Sequence, residues 1–412
     1  MVRVRRAISL SIRIEVRDGR GERTHDDWRP GYRSRSRMTG MASSIPQANP
    51  GAGYRALQAE IDAAIARVLQ SGWYILGQEV RAFESEFASW LGTSTAIGCG
   101  NGTDALAIAL RALGVGPGAS VVTVSHTAVA TVAAIEMVGA TPVLIDIEPD
   151  YYTMDPRELA EVLAHPPSGV PPIRAVIPVH LYGQPAALPA IIAACRRHSV
   201  PIIEDCAQAH GATFEGATVG TFTEIATFSF YPTKNLGALG DGGMLATSSA
   251  QLGAEIAALR QYGWKTHYVS DAVGVNSRLD ELQAAILRVK LAHLDAQTSR
   301  RRAIAAAYDE ALRATTLAPV VRPGAEHAYH LYVLRTSERA AVQQQLRNAG
   351  IGIGIHYAMP VHLQPAYHGR IALGPSGCRA TEMAAGQVLS LPMYPELTDP
   401  QIAHICDALR AF

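Results

Sequence analysis

From Tyr54 to Leu91 apolar residues recur at helical spacing, at Leu57, Ile61, Ala64, Ile65 and Val68 and again at Val80, Phe83 and Phe87. Such spacing gathers the apolar side chains on one helix face. Ser71-Gly72-Trp73 and Leu76-Gly77 interrupt it with turn-forming residues, so the pattern predicts two helices ahead of the first strand. Beyond them the period changes. Short apolar runs at Val121–Val124, Pro142–Ile145, Ala175–Val179 and Pro201–Ile203 alternate with amphipathic stretches at Ala128–Val138, Pro156–Ala164 and Leu188–Arg197. Continuous apolar strands separated by helices imply βαβ units and a parallel sheet covered on both faces. Ile225–Phe230 and Gly243–Ala246 follow one another with no helix between them, which predicts a mixed sheet. Leu279–Leu312, rich in Ala and Leu, reads as one long helix bridging to the remainder. There, strand-like Leu331–Leu334 and helices near Ala340–Ala349 and Pro400–Phe412 predict a smaller α+β unit.

The expected fold is therefore α/β: a large domain at residues 45–290, its mainly parallel mixed sheet lying between helices, and a smaller C-terminal α+β domain at residues 291–412. The first forty residues differ, with eleven Arg against Glu15, Asp18, Glu22, Asp26 and Asp27 and no apolar period. Those acids argue against a transit peptide, and no apolar core of a secretory signal follows. Residues 1–44 are expected to be a disordered extension without chemistry, or to precede a true start at Met38 or Met41.

Composition narrows the function classes. Lys plus Arg equals Asp plus Glu at 36 each, so no overall positive field exists to draw nucleic acid or an anionic membrane. No apolar run approaches the ~20 residues a membrane-spanning helix needs. The five cysteines are scattered and never form Cys-x-x-Cys, which points to reduced thiols and a cytoplasmic location rather than a disulfide framework or structural zinc.

Three segments carry candidate chemistry. Gly98-Cys99-Gly100-Asn101-Gly102-Thr103-Asp104 sits between a strand and a helix; its glycines permit close backbone approach and its free amides suit a phosphate. The sixth position of a dinucleotide fingerprint is Thr103 instead of Gly, and no Gly-Lys-Ser/Thr follows. Read alone, the segment serves equally as a plain turn. Pro201-Ile202-Ile203-Glu204-Asp205-Cys206-Ala207-Gln208 is an apolar strand ending in acids, where open α/β sheets bind ligands. Asp205 could cap a helix, ligate a metal or pair with a cationic ring nitrogen; no His/Cys/carboxylate cluster at ligand spacing accompanies it, so no metal site is expected. Ser229-Phe230-Tyr231-Pro232-Thr233-Lys234-Asn235-Leu236-Gly237 places a lysine between a buried strand and a glycine-rich loop. Desolvation there favours a neutral, nucleophilic amine, although a structural lysine fits the composition as well. Together the three match what pyridoxal phosphate requires: donors for its phosphate, a carboxylate for its pyridine nitrogen and a lysine for its aldehyde.

Those segments resemble the DegT/StrS family of sugar aminotransferases. Gly72-Trp73-Tyr74-Ile75-Leu76-Gly77, Val179-His180-Leu181-Tyr182-Gly183-Gln184, Asn276-Ser277-Arg278-Leu279-Asp280-Glu281, Gly354-Ile355-His356-Tyr357 and Leu391-Pro392-Met393-Tyr394-Pro395 extend the likeness from about Gln47 to the end. The resemblance implies a pyridoxal phosphate enzyme, with its amine form as the intermediate state, that moves an amino group from L-glutamate to a nucleotide-linked keto deoxyhexose. It makes Lys234 and Asp205 the catalytic pair, with Lys234 holding the cofactor and Asp205 facing its pyridine nitrogen. Gln208 is implied at the ring hydroxyl, and Gly102, Thr103 and Ser229 at the phosphate. Asn276 is implied to reach the phosphate of a neighbouring subunit, hence a homodimer with shared sites. Tyr231, Arg278 and His356 are implied as substrate contacts. Many relatives stack an aromatic residue on the ring after the third strand; this chain has Ser125-His126-Thr127, so His126 takes that place or the ring is covered differently. His180-Leu181-Tyr182-Gly183-Gln184 is closer to relatives acting on 3-keto than on 4-keto sugars. The intact Lys234 separates the chain from dehydratase relatives that carry histidine there. Lys234, Asp205 and Gln208 together weigh against a non-catalytic sugar-nucleotide sensor on the same fold. His180, His210 and His362 read as scaffold, and Cys206 as a small core residue.

Overall fold

The computed structural model describes residues 44–412; the Arg-rich leader lies outside them. Helices α1 (Pro50–Ala56), α2 (Gln58–Ser71) and α3 (Gln78–Leu91) lead into β1 (Thr95–Cys99). Then α4 (Gly102–Ala112), β2 (Ser120–Val124), α5 (Ala130–Met137), β3 (Thr141–Ile145), α6 (Pro156–Ala164), β4 (Ile173–Val176), α7 (Leu188–Arg197) and β5 (Ile203–Asp205) alternate as the apolar pattern predicts. A short hairpin of β6 (Thr213–Phe214) and β7 (Ala217–Thr218) precedes β8 (Ile225–Ser229) and β9 (Gly243–Thr247). Next come α8 (Ala250–Leu259), the hairpin β10 (Trp264–Thr266) and β11 (Val269–Ser270), then α9 (Glu281–Leu291) and α10 (Leu294–Leu312). The C-terminal part holds β12 (Ala325–Glu326), β13 (Tyr332–Arg335), α11 (Arg339–Asn348), β14 (Ala372–Leu373), α12 (Arg379–Gln387), β15 (Val388–Leu391) and α13 (Asp399–Leu409).

Two four-stranded arrays, β1-β9-β8-β5 and β4-β2-β3-β14, meet edge to edge through single parallel bridges, Val176 with Ile202 and Val179 with Asp205. Only β9 runs antiparallel to its neighbours in this sheet. The chain passes from β8 to β9 without a crossover helix, which forces the reversed direction. Helices bury both faces, with α4, α5 and α8 packed around Ile97, Val121, Ile177 and Leu245. Phe83 and Phe87 of α3 meet Phe228 and Phe230 edge-on, with ring centroids 5.1–5.8 Å apart. This aromatic cluster anchors the segment that carries Lys234.

Several elements depart from the apolar pattern. Asn49 caps α1, whose first residue is Pro50, and Leu57 leaves helical geometry, so three helices precede β1 instead of two. The single long helix expected over Leu279–Leu312 is two, divided at Ala292–His293 with no Gly or Pro to mark the break. Burial of both Leu291 and Leu294 across the joint lets each half follow its own neighbours. Pro201 has no N–H to give a ladder, and β5 starts two residues later. β14 pairs in parallel with β3, so a segment of the C-terminal part completes the edge of the main sheet. None of the described helices is long and apolar enough to cross a membrane.

Candidate active site

The carboxyl ends of β1, β2, β5 and β8 open onto one cavity of about 580 Å³, the position that open α/β sheets reserve for ligands. Its rim begins at α4. Asn101 stands in extended geometry before the helix, and its side chain accepts the Asp104 N–H at 2.8 Å. Gly102 and Thr103, the first residues of α4, line the cavity, where the free amides of a helix N-terminus suit an anion. Gly102 has to be glycine: a Cβ there would lie 2.7 Å from Ser229 Cβ. Helix and β8 thus meet too closely for any side chain.

Asp205 ends β5 and is 4% exposed. Its Oδ2 accepts from Thr131 Oγ1 at 2.9 Å and its Oδ1 from the Ala207 N–H at 3.1 Å. Burial raises its pKa, while those two donors and the charge of Lys234 pull it back. The half-buried Lys234 moves the other way, lowered to about 8 by desolvation of its amine against the opposing pull of Asp205. A carboxylate and an amine whose environments bring their proton affinities together are suited to sharing charge with a ligand between them.

Gln208, Ser229 and Tyr231 line the same cavity. Gln208 is oriented by the Tyr182 N–H at its Oε1, 2.7 Å away, and by donating Nε2–H to the Tyr357 hydroxyl at 3.2 Å. Tyr231 is half exposed at the mouth. Four other expected residues are not among the lining. His126 is buried, with Nε2 2.8 Å from the Tyr182 hydroxyl, and burial pushes its pKa down to about 4. His126 is therefore neutral, and its chain neighbours Thr127 and Ala128 form the wall. His356 pairs Nδ1 with Ser390 Oγ at 2.8 Å and gives its carbonyl to the Tyr182 hydroxyl. Asn276 is exposed and bridged to Gln261; Arg278 is half-buried. Between them Ser277 donates to Asp104 Oδ2 at 2.6 Å and accepts the Gly100 N–H at 2.9 Å.

Sequence reasoning missed Thr131, Thr127 and Asp241. The first two sit in an apolar stretch whose helix contacts Asp205 only in three dimensions. His180, Glu204 and Cys206 bring potential ligand atoms within 4.8 Å of one another, yet Glu204 is already committed. It accepts the N–H groups of Gly220, Phe222 and Thr223 at 2.8, 3.0 and 3.1 Å, with His180 Nε2 at 3.3 Å. Ala186 N–H donates to His180 Nδ1 at 3.0 Å, which puts the ring proton on the Glu204 side. This group holds the β5 end in shape directly before Asp205.

A family model, the DegT/DnrJ/EryC1/StrS aminotransferase family, matches residues 55–410. The chain belongs to this family. This aminotransferase is 45% identical over 368 residues to the dTDP-3-amino-3,4,6-trideoxy-α-D-glucose transaminase of Streptomyces venezuelae, covering 89% of this chain and 95% of that one. It is 41% identical to the UDP-N-acetyl-3-dehydro-α-D-glucosamine 3-aminotransferase of Acidithiobacillus ferrooxidans, over 89% of this chain and 98% of the relative. Among solved structures, S. venezuelae DesV superposes with a TM-score of 0.85 at 44% identity, over 90% of this chain and 98% of DesV. The aminotransferases of this family are pyridoxal phosphate enzymes, as the resemblance read from the sequence implied.

Proposed function

We propose that this aminotransferase transfers an amino group from L-glutamate to the keto carbon of a nucleotide-linked deoxyhexose, a 3-keto sugar in preference to a 4-keto one. The observation that carries the reading is the meeting of Lys234 and Asp205 in one cavity beside the N-terminus of α4. Both curated relatives described above are named for amination at the 3-position, which supports the 3-keto choice; their different nucleotides leave the carrier to experiment.

The residues fit pyridoxal phosphate. The close approach of Gly102 to Ser229 brings the first turn of α4 and the Thr103 and Ser229 residues together on one wall of the cavity, which suits a phosphate bound there by amides and hydroxyls. Asp205 would face the pyridine nitrogen and Gln208 the ring hydroxyl. Bound there, pyridoxal phosphate supplies a carbon that accepts the amino group and a ring that accepts electrons from the substrate's broken C–H bond. Asp205, whose carboxylate accepts from Thr131 and Ala207, would balance the positive charge that such a ring must carry. Lys234, once free, takes a proton from the substrate carbon and returns one; a pKa of about 8 makes both of its forms accessible near neutrality. Tyr231 at the mouth, with Arg278 and His356 beyond the wall, would contact the sugar nucleotide. The ring would be covered differently from the His126 stacking the sequence offered, by its neighbours Thr127 and Ala128 on the cavity wall, and exposed Asn276 would complete the site of a second subunit in a homodimer.

The test is the visible spectrum before and after L-glutamate, with Lys234→Ala alongside. A yellow band that bleaches in the wild type, and neither forms nor recovers in the variant, supports the first half-reaction. Recovery of the band on adding a nucleotide-linked 3-keto sugar, with release of the amino sugar, supports the second. A protein that stays colourless with added cofactor overturns the reading in favour of a sugar-nucleotide sensor.

A further inference from the structure

Lys234 lines two cavities. One is the substrate side described above; the other is a narrow polar cleft of about 50 Å³ on which Asn49, Asn235, Lys290, Gln297, Arg301 and Glu396 converge. The cleft lies between the loop after β8, helices α9 and α10, and the Tyr394–Glu396 turn. Its inner members are deeply buried, Asn235 at 7% and Arg301 at 5% exposure, while Asn49, Gln297 and Glu396 are only half-buried.

Two of the inner side chains are incompletely bonded in a complementary way. Asn235 Nδ2 donates to the Ala328 carbonyl at 2.9 Å, but its Oδ1 finds no protein donor among the described residues. Arg301 Nη1 donates to the carbonyls of Tyr329 and Met393 at 3.1 and 2.8 Å, but its Nε–H finds no protein acceptor there. Nearby in the chain's packing, Thr298 Oγ1 on the same helix, both ring nitrogens of His210 and Nδ1 of His330 are likewise unpaired. A buried donor and a buried acceptor that both need partners call for a ligand able to accept and to donate. Water does both, and one water needs about 10–15 Å³ of such space. An anion would satisfy Arg301 and oppose Asn235 Oδ1 and Glu396.

We propose that this cleft is an internal water site running from Glu396 at the surface to Lys234, and that Lys234 exchanges protons with solvent along it while substrate fills the other cavity. The proposal rests on Lys234 being the reactive lysine. It meets a need of that role: between taking a proton from the substrate carbon and returning one, Lys234 holds it as an ammonium, and water reaching it from behind can hydrate that charge and exchange its protons while substrate occupies the front. The charged and titratable groups around Lys234 are Asp205 from β5 on the substrate side and His210, His330, His356 and Arg301 behind and beside it. Burial holds His210 and His356 neutral, at about 3 and about 4, and His330 well below its ordinary value, so these rings can pass hydrogen bonds without competing for the proton. Glu396 is the carboxylate of the cleft, and its charge supports those of Lys290 and Arg301.

Two measurements decide it. A high-resolution crystal structure of the cofactor-loaded protein should show ordered water bonded to both Asn235 Oδ1 and Arg301 Nε–H, in a file that reaches Lys234. Gln297→Leu and Glu396→Gln should slow bleaching of the yellow band in a single turnover with L-glutamate by roughly tenfold, less than the roughly hundredfold or more that losing the acid–base group itself costs. They should also raise the solvent deuterium effect on that step and leave glutamate affinity unchanged. A dry cleft, or one whose two unpaired atoms have found protein partners, overturns the water site. Water in place with unchanged rates and isotope effects in both variants overturns the proton route. If no yellow band forms at all, it is the aminotransferase reading that fails, and the crystal structure still decides the water site.

Discussion

The hydroxyl of Thr131, on α5, donates to Oδ2 of Asp205, at the end of β5, across 2.9 Å between two buried side chains. Two elements far apart in sequence thus fix the carboxylate proposed to face the pyridine nitrogen. Thr127 Oγ1 stands 3.3 Å behind Thr131 Oγ1 and extends the contact toward the cavity wall.

Replacing Thr131 by Val removes a donor from a buried carboxylate whose burial already raises its pKa. Loss of a hydrogen bond to a charged group costs about 1.5–3 kcal/mol, so cofactor affinity should fall by about tenfold or more. Absorbance titration of the cofactor-free protein measures this. Thr131→Ser, which keeps the hydroxyl, should restore most of the affinity.

Gly102→Ala should weaken the cofactor strongly while leaving the fold in place, because the added Cβ would lie 2.7 Å from Ser229 Cβ. Relief needs α4 to withdraw from β8, which spoils the phosphate cradle. A drop of at least tenfold in affinity is expected, ~1.4 kcal/mol. Adding Ser229→Gly to the variant should recover part of the loss by clearing the clash, even though it removes a hydroxyl.

The capture of pyridoxal phosphate by cofactor-free protein should accelerate as pH rises and level off above about pH 8, where Lys234 loses its proton. Lys234 is depressed from 10.5 to about 8 on folding. Its contribution to stability is therefore fully present above about pH 10.5 and lost as pH falls through 8. Rates of capture by stopped-flow absorbance and thermal midpoints of the cofactor-free protein between pH 7 and 11 check the two signs.

Glu204→Gln should act on stability before chemistry. The carboxylate accepts three backbone N–H groups and the Thr223 hydroxyl, all within 3.1 Å. An amide turns one acceptor into a donor facing other donors, at a cost of about 3 kcal/mol. A fall of several degrees in thermal midpoint is expected, with glutamate affinity of the surviving folded protein little changed.

The sequence by itself determined the alternation of strands and helices from β1 to β5, since each apolar run and each amphipathic stretch follows from local period. The bounds of α6 and α7 fall where that period and the flanking Pro and charged residues put them. It also placed Lys234, Asp205 and the glycine-rich turn in chain order, because their residue types are set by chemistry rather than packing. Tertiary structure alone decided the rest. The two-residue β14 carries no readable period and becomes a strand only by pairing with β3. The α9–α10 break has no Gly or Pro to announce it. Where His126 turns its ring, which hydroxyl steadies Asp205, and that Lys234 stands between two cavities all depend on contacts between residues distant in the chain. Local sequence fixes the period and chemistry of a segment; which polar groups are left facing one another is settled only when the segments pack.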